Sequence, residues 1–273
     1  MDYGTLFIVP TPVGNLEDIT LRAIKVLQDV DYILAEDTRH SLKLLNHFNI
    51  SNSLVSYYKD IEKKKLQNII NDLKNGKNIA LISDAGTPGI SDPGNILIKE
   101  AIKESIKVTT LPGATALIPA IVTSNFDTSH FVFYGFLNNN NSKRKKELEN
   151  ILSFNLPTII YEAPHRILKT LKTILEIDEN IEVCIAREIS KLHEQYIYGT
   201  VKEVLERLDN LKGEIVLIVY RDKDNNDDFF KNLTLEEHYN YYEHKGLTKK
   251  EIIKQIAKDL NVNKDVIYKK FIN

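Results

Sequence analysis

The segment LISDAGTPGISDPG, residues Leu81–Gly94, concentrates glycine, proline and aspartate directly after an apolar run. It contains three of the chain's 11 glycines, two prolines and two aspartates. The run Ile79–Ile82 has the composition of a buried strand. In open α/β sheets, ligands bind where loops leave the carboxyl ends of the strands, so this loop is predicted to line a binding site. Asp84 and Asp92 are both candidates to accept hydrogen bonds from a ligand ammonium or ribose, but for Asp92 the sequence favours a different role, the cap of a helix that begins near Pro93.

Short β-branched runs alternate with stretches of helical periodicity in the first part of the chain. The predicted strands are Thr5–Val9, Tyr32–Leu34, Leu54–Tyr57, Ile79–Ile82 and Lys107–Leu111. The predicted helices are Thr20–Gln28, Ser41–Phe48, Lys63–Leu73, Asn95–Lys103 and a helix near Ala114–Thr123. Such alternation favours a mostly parallel sheet with helices on its faces.

The alternation restarts after a boundary near Ser124–Ser129. Further strands are predicted at Phe131–Tyr134, Thr158–Tyr161, Glu182–Ala186 and Glu214–Tyr220. The sequence therefore predicts an α/β fold with two tandem α/β domains, residues 1–124 and 125–222. Residues 223–273 are predicted to form a linker and a basic helical domain.

The final stretch, LTKKEIIKQIAKDLNVNKDVIYKKF, has a helix-turn-helix-like pattern. Thr248 and Glu251 have the spacing of a capping box, and a turn is predicted at Asn261. Residues 245–270 contain eight lysines and three acidic residues, a local net charge of +5 in a chain whose total is −2. Two interpretations stay open: a solubilising helical cap, or an appendage that contacts nucleic acid phosphates.

Composition excludes several classes of site and structure. Cys184 is the only cysteine, so the chain has no internal disulfide and no cysteine-based zinc site. No paired histidine spacing such as HExxH occurs, and we expect no metal ion. The apolar stretch Leu6–Val9 is too short for a signal peptide or a membrane span, so a cytoplasmic protein is predicted.

Two further proline- and glycine-containing loops follow predicted strands. VPTPVGNLEDIT (Val9–Thr20) follows the first strand and LPGATAL (Leu111–Leu117) follows the fifth. Both are expected to share a cleft with the central loop, Ser83–Gly94, which follows the fourth strand. The chain contains neither GxGxxG nor GxxxxGK[ST]. The cleft is therefore predicted to hold a nucleoside ligand without phosphates.

Three polar segments also follow short apolar runs: AEDTRH (Ala35–His40), YEAPHR (Tyr161–Arg166) and AREISKLHE (Ala186–Glu194). Each places acidic residues beside Arg or His. Surface ion pairs and helix caps explain any one of them. Together they suggest a polar face that grips RNA and positions an oxygen nucleophile.

These motifs, together with GFL and GEIVLIV, occur in the order seen in the bacterial small-subunit rRNA (cytidine-2′-O)-methyltransferases, which the chain resembles over nearly its whole length. That family belongs to the tetrapyrrole methylase superfamily. The resemblance implies two α/β domains with S-adenosyl-L-methionine in the cleft between them, a homodimer, and methylation of a cytidine 2′-hydroxyl in the decoding centre of the small ribosomal subunit. By the same resemblance, the cofactor contacts are Pro12, Gly14, Asp84, Ala85, Gly86, Ile90, Thr115, Ala116, Leu137, Ala186 and Glu214.

Roles near the nucleophile are assigned to charged residues of the polar segments. The candidate catalytic residues are Glu36, Asp37, Arg39, Glu162, His165 and Arg187, with Glu188 as a further candidate base. The candidate RNA-binding residues are Lys143, Arg144, Lys145, Arg166, Lys249, Lys250 and Lys254. Arg39, Arg166 and Arg187 are expected either to hold RNA phosphates or to orient the candidate carboxylates. No single general base is chosen.

The chain departs from the family pattern at two loops. Ala114-Thr115 stands where Pro-Ser is more usual, and Asn138 replaces a proline after Leu137. Tetrapyrrole-modifying relatives carry Gly-Asp-Pro in the central loop, whereas this chain has Ser83-Asp84-Ala85, which favours the RNA branch. The alternatives are a tetrapyrrole C-methyltransferase and a non-catalytic ribosome-assembly factor.

Overall fold

The computed structural model describes residues 2–208, 211–221, 233–244, 246–260 and 262–271. The chain forms two compact units, Met1–Tyr220 and Arg221–Asn273. In the described ranges, no helix combines the length and the apolar character that a membrane span requires.

The first sheet of the larger unit is entirely parallel. Its strands are β1 (Thr5–Ile8), β2 (Tyr32–Ala35), β3 (Leu54–Ser56), β4 (Ile79–Ile82) and β5 (Lys107–Thr110). They lie in the order β3-β2-β4-β1-β5, and each paired neighbour runs parallel. The predicted parallel sheet is confirmed, and every strand ends within one residue of its predicted bounds.

Helices cover both faces of this sheet, as predicted. They are α1 (Leu21–Asp29), α2 (Thr38–His47), α3 (Glu62–Lys74), α4 (Asn95–Lys103) and α5 (Leu117–Val122). Buried residues of α3 and α4 pack with Leu6 and Leu81 on one face, while those of α1 and α2 pack with Ile33 and Ile82 on the other. Helix α2 begins three residues before its predicted start because the Asp37 carboxylate accepts the backbone N–H groups of Arg39 and His40, at 2.8 and 3.3 Å.

The second sheet is mixed. Its strands are β6 (Val132–Phe136), β7 (Thr158–Glu162), β8 (Glu182–Arg187), β9 (Gln195–Thr200) and β10 (Ile215–Tyr220), in the order β6-β7-β10-β8-β9. Only β6 and β7 pair in parallel. Strand β9 was not predicted, because this edge strand is only partly buried and lacks an apolar run. The accompanying helices are α6 (Asn141–Ser153), α7 (Ile167–Leu175) and α8 (Val201–Arg207).

Helix α5 joins the two sheets within the larger unit. Its buried residues Ala120 and Ile121 pack against Ile159, Cys184 and Val216 of the second sheet. The predicted border between residues 124 and 125 falls in the connection from α5 to β6, and it stays a prediction about domain organisation.

The central loop is held by a buried carboxylate. Glu62 at the start of α3 is 6% exposed, and its Oε1 accepts the backbone N–H of Gly94 at 2.8 Å. Gly94 precedes α4 with a φ of 132°. The expectation that Asp92 caps this helix is wrong: Gly94 occupies the N-cap position, and no side chain caps α4 there.

The smaller unit contains three helices in its described residues: α9 (Leu235–His244), α10 (Lys249–Asp259) and α11 (Lys264–Lys270). As predicted, the Glu251 carboxylate accepts the backbone N–H of Thr248, at 2.9 Å. Asp259 accepts a hydrogen bond from the Tyr242 hydroxyl at 2.7 Å, which ties α10 to α9. The predicted turn at Asn261, residues 222–232, which include the start of the predicted linker, and Lys245 lie outside the described residues.

Gly94→Ala tests the anchoring of the central loop. A Cβ at Gly94 would lie 2.7 Å from Leu81 Cδ2, and a side chain strains a φ of 132°. We expect the free energy of unfolding to fall by about 3 kcal/mol, measured by urea denaturation. Gly76→Ala is the matched control, because Gly76 also has a positive φ but its Cβ would meet no atom closer than 3.5 Å. Equal losses in the two variants would contradict the role of the close Leu81 contact.

Candidate functional site

Loops from both sheets of the larger unit enclose a cavity of about 320 Å³. The loop after β1 contributes Val13, the central loop contributes Ala85–Asp92 except Pro88 and Gly89, and the loop after β5 contributes Thr115 and Ala116. The second sheet supplies the opposite wall, including Phe136 and Tyr161. The three loops that follow β1, β4 and β5 thus meet at one site, as their positions after parallel strands predict.

A short backbone bridge fixes two of these loops to each other. Thr11 N–H donates to Gly86 O, and Gly86 N–H donates to Thr11 O, both at 2.9 Å. The Thr11 hydroxyl also donates to Ser83 O at 3.0 Å. The central loop therefore has a defined backbone path at the cavity without a helix or strand of its own.

The lining of the cavity is acidic. Asp92, Glu162 and Glu214 contribute carboxylates, and no Lys, Arg or His is among the described lining residues. Basic residues behind the lining engage two of the three: Arg166 Nε lies 3.0 Å from Glu162 Oε1, and Lys191 Nζ lies 2.9 Å from Glu214 Oε2. Such a surface favours a cationic ligand and disfavours a phosphate group.

Asp92 differs from the other two lining carboxylates. Burial, with a smaller contribution from the nearby Asp84 carboxylate, raises the pKa of Asp92 from 3.8 to about 6, although a hydrogen bond with Ser83 opposes the shift. Burial also raises the pKa of Glu36, and Asp84 and Asp92 add to that effect. The Asp92 carboxylate therefore lines the cavity in a negative field to which Asp84 contributes, and a ligand cation would relieve the repulsion between them.

Apolar and hydroxyl groups complete the walls. Ile90, Ile189 and Val216 provide aliphatic surface, and Thr87 and Thr115 provide hydroxyls. The Thr87 hydroxyl donates to Ala114 O at 3.0 Å, which joins the central loop to the loop after β5. A mainly apolar cavity of this size with a few polar groups suits a small organic ligand such as a nucleoside.

Six of the residues assigned to the cofactor line this cavity: Ala85, Gly86, Ile90, Thr115, Ala116 and Glu214. Pro12 and Asp84 line a smaller neighbouring cavity of about 150 Å³ instead. Leu137 and Ala186 are buried in the cores of the second sheet. Gly14 packs against the loop after β8, where a Cβ would lie 2.4 Å from Lys191 Cγ. These five residues are not among those that line the larger cavity.

The structure separates the candidate catalytic residues. Glu162 lines the cavity, but both of its oxygens are engaged, since Thr170 Oγ1 donates to Oε2 at 2.6 Å and Arg166 pairs with Oε1. Asp37 caps α2, and its backbone N–H donates to Asp84 Oδ1 at 3.1 Å. His165 is exposed, as is the Arg39 side chain.

The loop after β8 has internal partners of its own. Arg187 Nε donates to Gln195 Oε1 at 2.7 Å. Glu188 Oε1 accepts from Lys191 Nζ and from the backbone N–H of Glu214, at 3.0 and 3.2 Å. These contacts hold Glu214 at the cavity, so the loop shapes the wall.

Two arginines assigned to RNA binding do not lie where that assignment requires. Arg144 is 3% exposed and donates to Asn141 Oδ1 at 2.6 Å. Arg166 donates to Leu137 O at 2.7 Å and pairs with Glu162, so it ties the loop after β6 to α7. The burial of Arg144 corrects the expectation of a surface residue available to phosphates, whereas Arg166 lies as its alternative role requires and orients the Glu162 carboxylate.

The assigned lysines lie in two places. Lys143 is exposed on α6, and Lys145 is half-buried with Glu176 at 3.4 Å. Lys249, Lys250 and Lys254 are exposed on α10 of the smaller unit and line one groove.

Sequence reasoning did not assign several lining residues to the site: Val13, Thr87, Ser91, Asp92, Phe136, Tyr161, Ala163, Pro164, Ile189, Ile215 and Val216. Some of them lay within motifs that were recognised for other residues, such as Tyr161, Ala163 and Pro164 in YEAPHR. The signal for Asp92 was its place in the central loop, but its position before Pro93 favoured a cap. The aliphatic residues carry no local signal that distinguishes lining from core.

Asp92→Asn tests the electrostatics of the cavity. Because the folded chain binds the Asp92 proton more tightly than the unfolded chain, the free energy of unfolding should fall as pH rises from about 4 to 6. The variant should lose this fall and gain about 1–2 kcal/mol over wild type at pH 7, after allowance for solvent screening. Urea denaturation between pH 4 and pH 7 measures both effects.

Asp29→Asn, at an exposed position in α1, is the control for the loss of one carboxylate. It should leave the pH dependence of wild type in place. A wild-type slope in Asp92→Asn would refute the raised pKa.

Comparison with known proteins places the chain in a family. Residues 5–205 match the model of the Tetrapyrrole (Corrin/Porphyrin) Methylases. A Bacillus subtilis protein named "Ribosomal RNA small subunit methyltransferase I" is 43% identical over 98% of this chain and 94% of its own length. A Thermotoga maritima protein of the same name is 44% identical over 79% of this chain and 98% of its own length.

Solved structures share the fold at low identity. A diphthine synthase superposes with a TM-score of 0.64 at 12% identity, over 80% of this chain and 90% of that one. The uroporphyrin-III C-methyltransferase of Thermus thermophilus, in complex with S-adenosyl homocysteine, gives a TM-score of 0.58 at 15% identity, over 80% of this chain and 98% of that one. At these identities the likeness concerns the fold alone. The family match and the closely similar relatives, taken with the parallel sheet and its loop-lined cavity, show that the chain belongs to the tetrapyrrole methylase family, together with the proteins named ribosomal RNA small subunit methyltransferase I.

Proposed function

We propose that this protein transfers the methyl group of S-adenosyl-L-methionine to the 2′-hydroxyl of a cytidine in the decoding centre of small-subunit rRNA. The observation that carries the proposal is the cavity at the carboxyl ends of β1, β4 and β5, whose lining has three carboxylates and no basic side chain among its described residues. The names of the relatives support RNA as the substrate class.

S-adenosyl-L-methionine is the cofactor, as membership of a methylase family indicates. It carries a sulfonium, an ammonium and a carboxylate but no phosphate, so its net positive charge suits the acidic lining. Asp92 would attract its cationic groups, and backbone groups of Ala85 and Gly86 would approach it closely. Ile90 and Val216 would cover its apolar surface. When bound, it supplies a methyl group that is already strongly electrophilic.

The chain's main contribution to the reaction is positioning. A ribose hydroxyl is a weak nucleophile, and correct orientation of reacting groups can lower a barrier by about 7–11 kcal/mol. The three loops are joined to one another by the Thr11–Gly86 bridge and the Thr87–Ala114 hydrogen bond, so the cavity is held in place before substrate arrives. A general base would add about 10²–10⁴-fold. Glu162 is a poor base because both of its oxygens already accept hydrogen bonds or an ion pair.

Two properties of the substrate support RNA and an accessible nucleotide. The 2′-hydroxyl is what distinguishes RNA from DNA, so the nucleophile itself selects RNA. A cytidine must leave its stack to reach a cavity in the protein. Lys143 on α6 and Lys249, Lys250 and Lys254 on α10 are exposed and are proposed to hold the surrounding phosphates.

We also propose a homodimer. Ile118 and Val122 on α5 are 45% and 69% exposed, and Tyr198 of the edge strand β9 donates to Thr123 O at 2.8 Å. These residues combine exposed apolar side chains with an open sheet edge, which are features of association surfaces. Sedimentation equilibrium tests the stoichiometry.

The first test is methyl transfer from labelled S-adenosyl-L-methionine to small subunits that lack the modification. We expect the label on 2′-O-methylcytidine after digestion and mass spectrometry.

Ala116→Phe should weaken cofactor binding at least about tenfold, because its ring would fill the cavity. Ile102→Phe on the exposed side of α4 is the control and should bind as wild type does. Label on a base or on a tetrapyrrole acceptor would refute the proposal, and cofactor binding without transfer would favour an assembly factor.

A second test concerns the lysines of α10. Changing Lys249, Lys250 and Lys254 together to Glu should weaken RNA binding and flatten the plot of log K against log salt. The magnitude of the negative slope should decrease by about 2, since each of the three lost phosphate contacts contributes about 0.7–0.9 to it. Changing Lys258, Lys269 and Lys270 to Glu removes the same charge at exposed positions outside the groove, and it should have the smaller effect. Equal effects would show that general charge, not this surface, binds RNA.

A further inference from the structure

A groove on the smaller unit contains more than the lysines that the sequence indicated. It lies between α10 and α11 and has a volume of about 760 Å³. Its charged and aromatic residues are Lys249, Lys250 and Lys254 of α10, and Lys264, Asp265 and Tyr268 of α11. A solubilising surface requires neither a groove nor an aromatic ring.

Tyr268 is the aromatic group of this groove. It is 55% exposed, whereas its neighbour Ile267 is 3% exposed and packs into the core of the unit. Other rings of the unit, those of Tyr239, Tyr242 and Phe271, belong to or pack against that core. Tyr268 therefore lies outside that core, and it lines the groove with its side chain exposed. Aromatic rings beside lysines are typical of surfaces on which unpaired bases stack.

Asp265 brings the groove's only carboxylate among its described residues. It lies three positions before Tyr268 in α11, so the two side chains lie on the same face of the helix. None of the described lysines lies within ion-pair distance of it. A carboxylate opposes phosphate binding, but it accepts hydrogen bonds from the amino group of cytosine. Four lysines with one carboxylate and one aromatic ring are thus suited to a nucleotide rather than to a phosphate alone.

We propose that this groove binds an unpaired segment of RNA, with phosphates at the lysines, one base stacked on Tyr268 and the amino group of that base donating to Asp265. The choice of RNA as the partner rests on the proposed function; the unpaired state and the base preference rest on the groove. Uracil carries a carbonyl where cytosine carries an amino group, so the groove prefers oligocytidine to oligouridine.

The test measures anisotropy of labelled decamers with the full-length protein. Wild type should bind oligocytidine about 5–10-fold more tightly than oligouridine, and a duplex of equal length more weakly than oligocytidine. Tyr268→Ala should weaken binding to oligocytidine about tenfold, whereas Tyr268→Phe, which keeps the ring, should stay within about twofold of wild type. Asp265→Ala should bring the affinities for oligocytidine and oligouridine within about twofold of each other. The substitution removes both the hydrogen-bond acceptor for the cytosine amino group and the repulsion of phosphate.

Lys258→Gln is the control, since this exposed residue of α10 is not part of the groove. It should keep the preference for oligocytidine. Circular dichroism checks that each variant is folded. Unchanged binding by Tyr268→Ala, an intact base preference in Asp265→Ala, or duplex binding as tight as that of the single strand would each overturn the proposal.

Methyl transfer by the same proteins separates this proposal from the proposed function. Transfer to cytidine by wild type with no effect of Tyr268→Ala on binding defeats only the groove. A base preference that depends on Asp265 and Tyr268, in a protein that transfers no methyl group, defeats only the proposed reaction.

Discussion

The reciprocal hydrogen bonds between Thr11 and Gly86 are the constraint on which the site depends. They join the loop after β1 to the loop after β4 just beyond the point where those parallel strands stop pairing. The Thr87–Ala114 hydrogen bond then brings in the loop after β5. Because these contacts involve backbone groups on at least one side, the arrangement tolerates many side chains and leaves the lining free to determine the ligand.

Electrostatics then selects what the cavity accepts. Arg166 and Lys191 pair with Glu162 and Glu214 from behind the lining, so the cavity surface remains acidic while the charges of the buried Glu162 carboxylate and the exposed Glu214 carboxylate are balanced. Asp92 has no basic partner in the described lining, so its ionised form is destabilised and its pKa is raised. A ligand with a sulfonium and an ammonium would stabilise the ionised carboxylate, whereas a phosphate would destabilise it further. The acidic lining and the absence of phosphate-loop motifs therefore have the same explanation.

The two units carry surfaces of opposite charge. The larger unit holds the acidic cavity that we propose binds the cofactor, and the smaller one carries a basic groove with an exposed tyrosine. Asp259, Tyr242 and His238 form a polar cluster within the smaller unit, in which Asp259 Oδ2 lies 2.9 Å from His238 Nε2. The smaller unit also has a mainly aliphatic core, to which Ile256 of α10 and Ile267 of α11 belong. Contacts within the unit therefore hold together the two helices that form the groove.

The sequence by itself determined the parallel sheet, the loops that follow its strands and the basic helical end, because apolar periodicity and clusters of glycine and proline are local signals. Motif resemblance added the family. Only the tertiary structure decided that Asp92 lines the cavity rather than caps α4, since Gly94 takes the cap position and Glu62, distant in sequence, binds its N–H. It also decided that Arg144 and Arg166 serve internal contacts, that β9 completes the second sheet and that Lys264, Asp265 and Tyr268 share a groove with the lysines of α10. The cap at Gly94, the pairing of β9 and the shared groove depend on contacts between different elements of the chain. The internal contacts of Arg144 and Arg166 depend on how their segments pack, so no local pattern of residue types is sufficient.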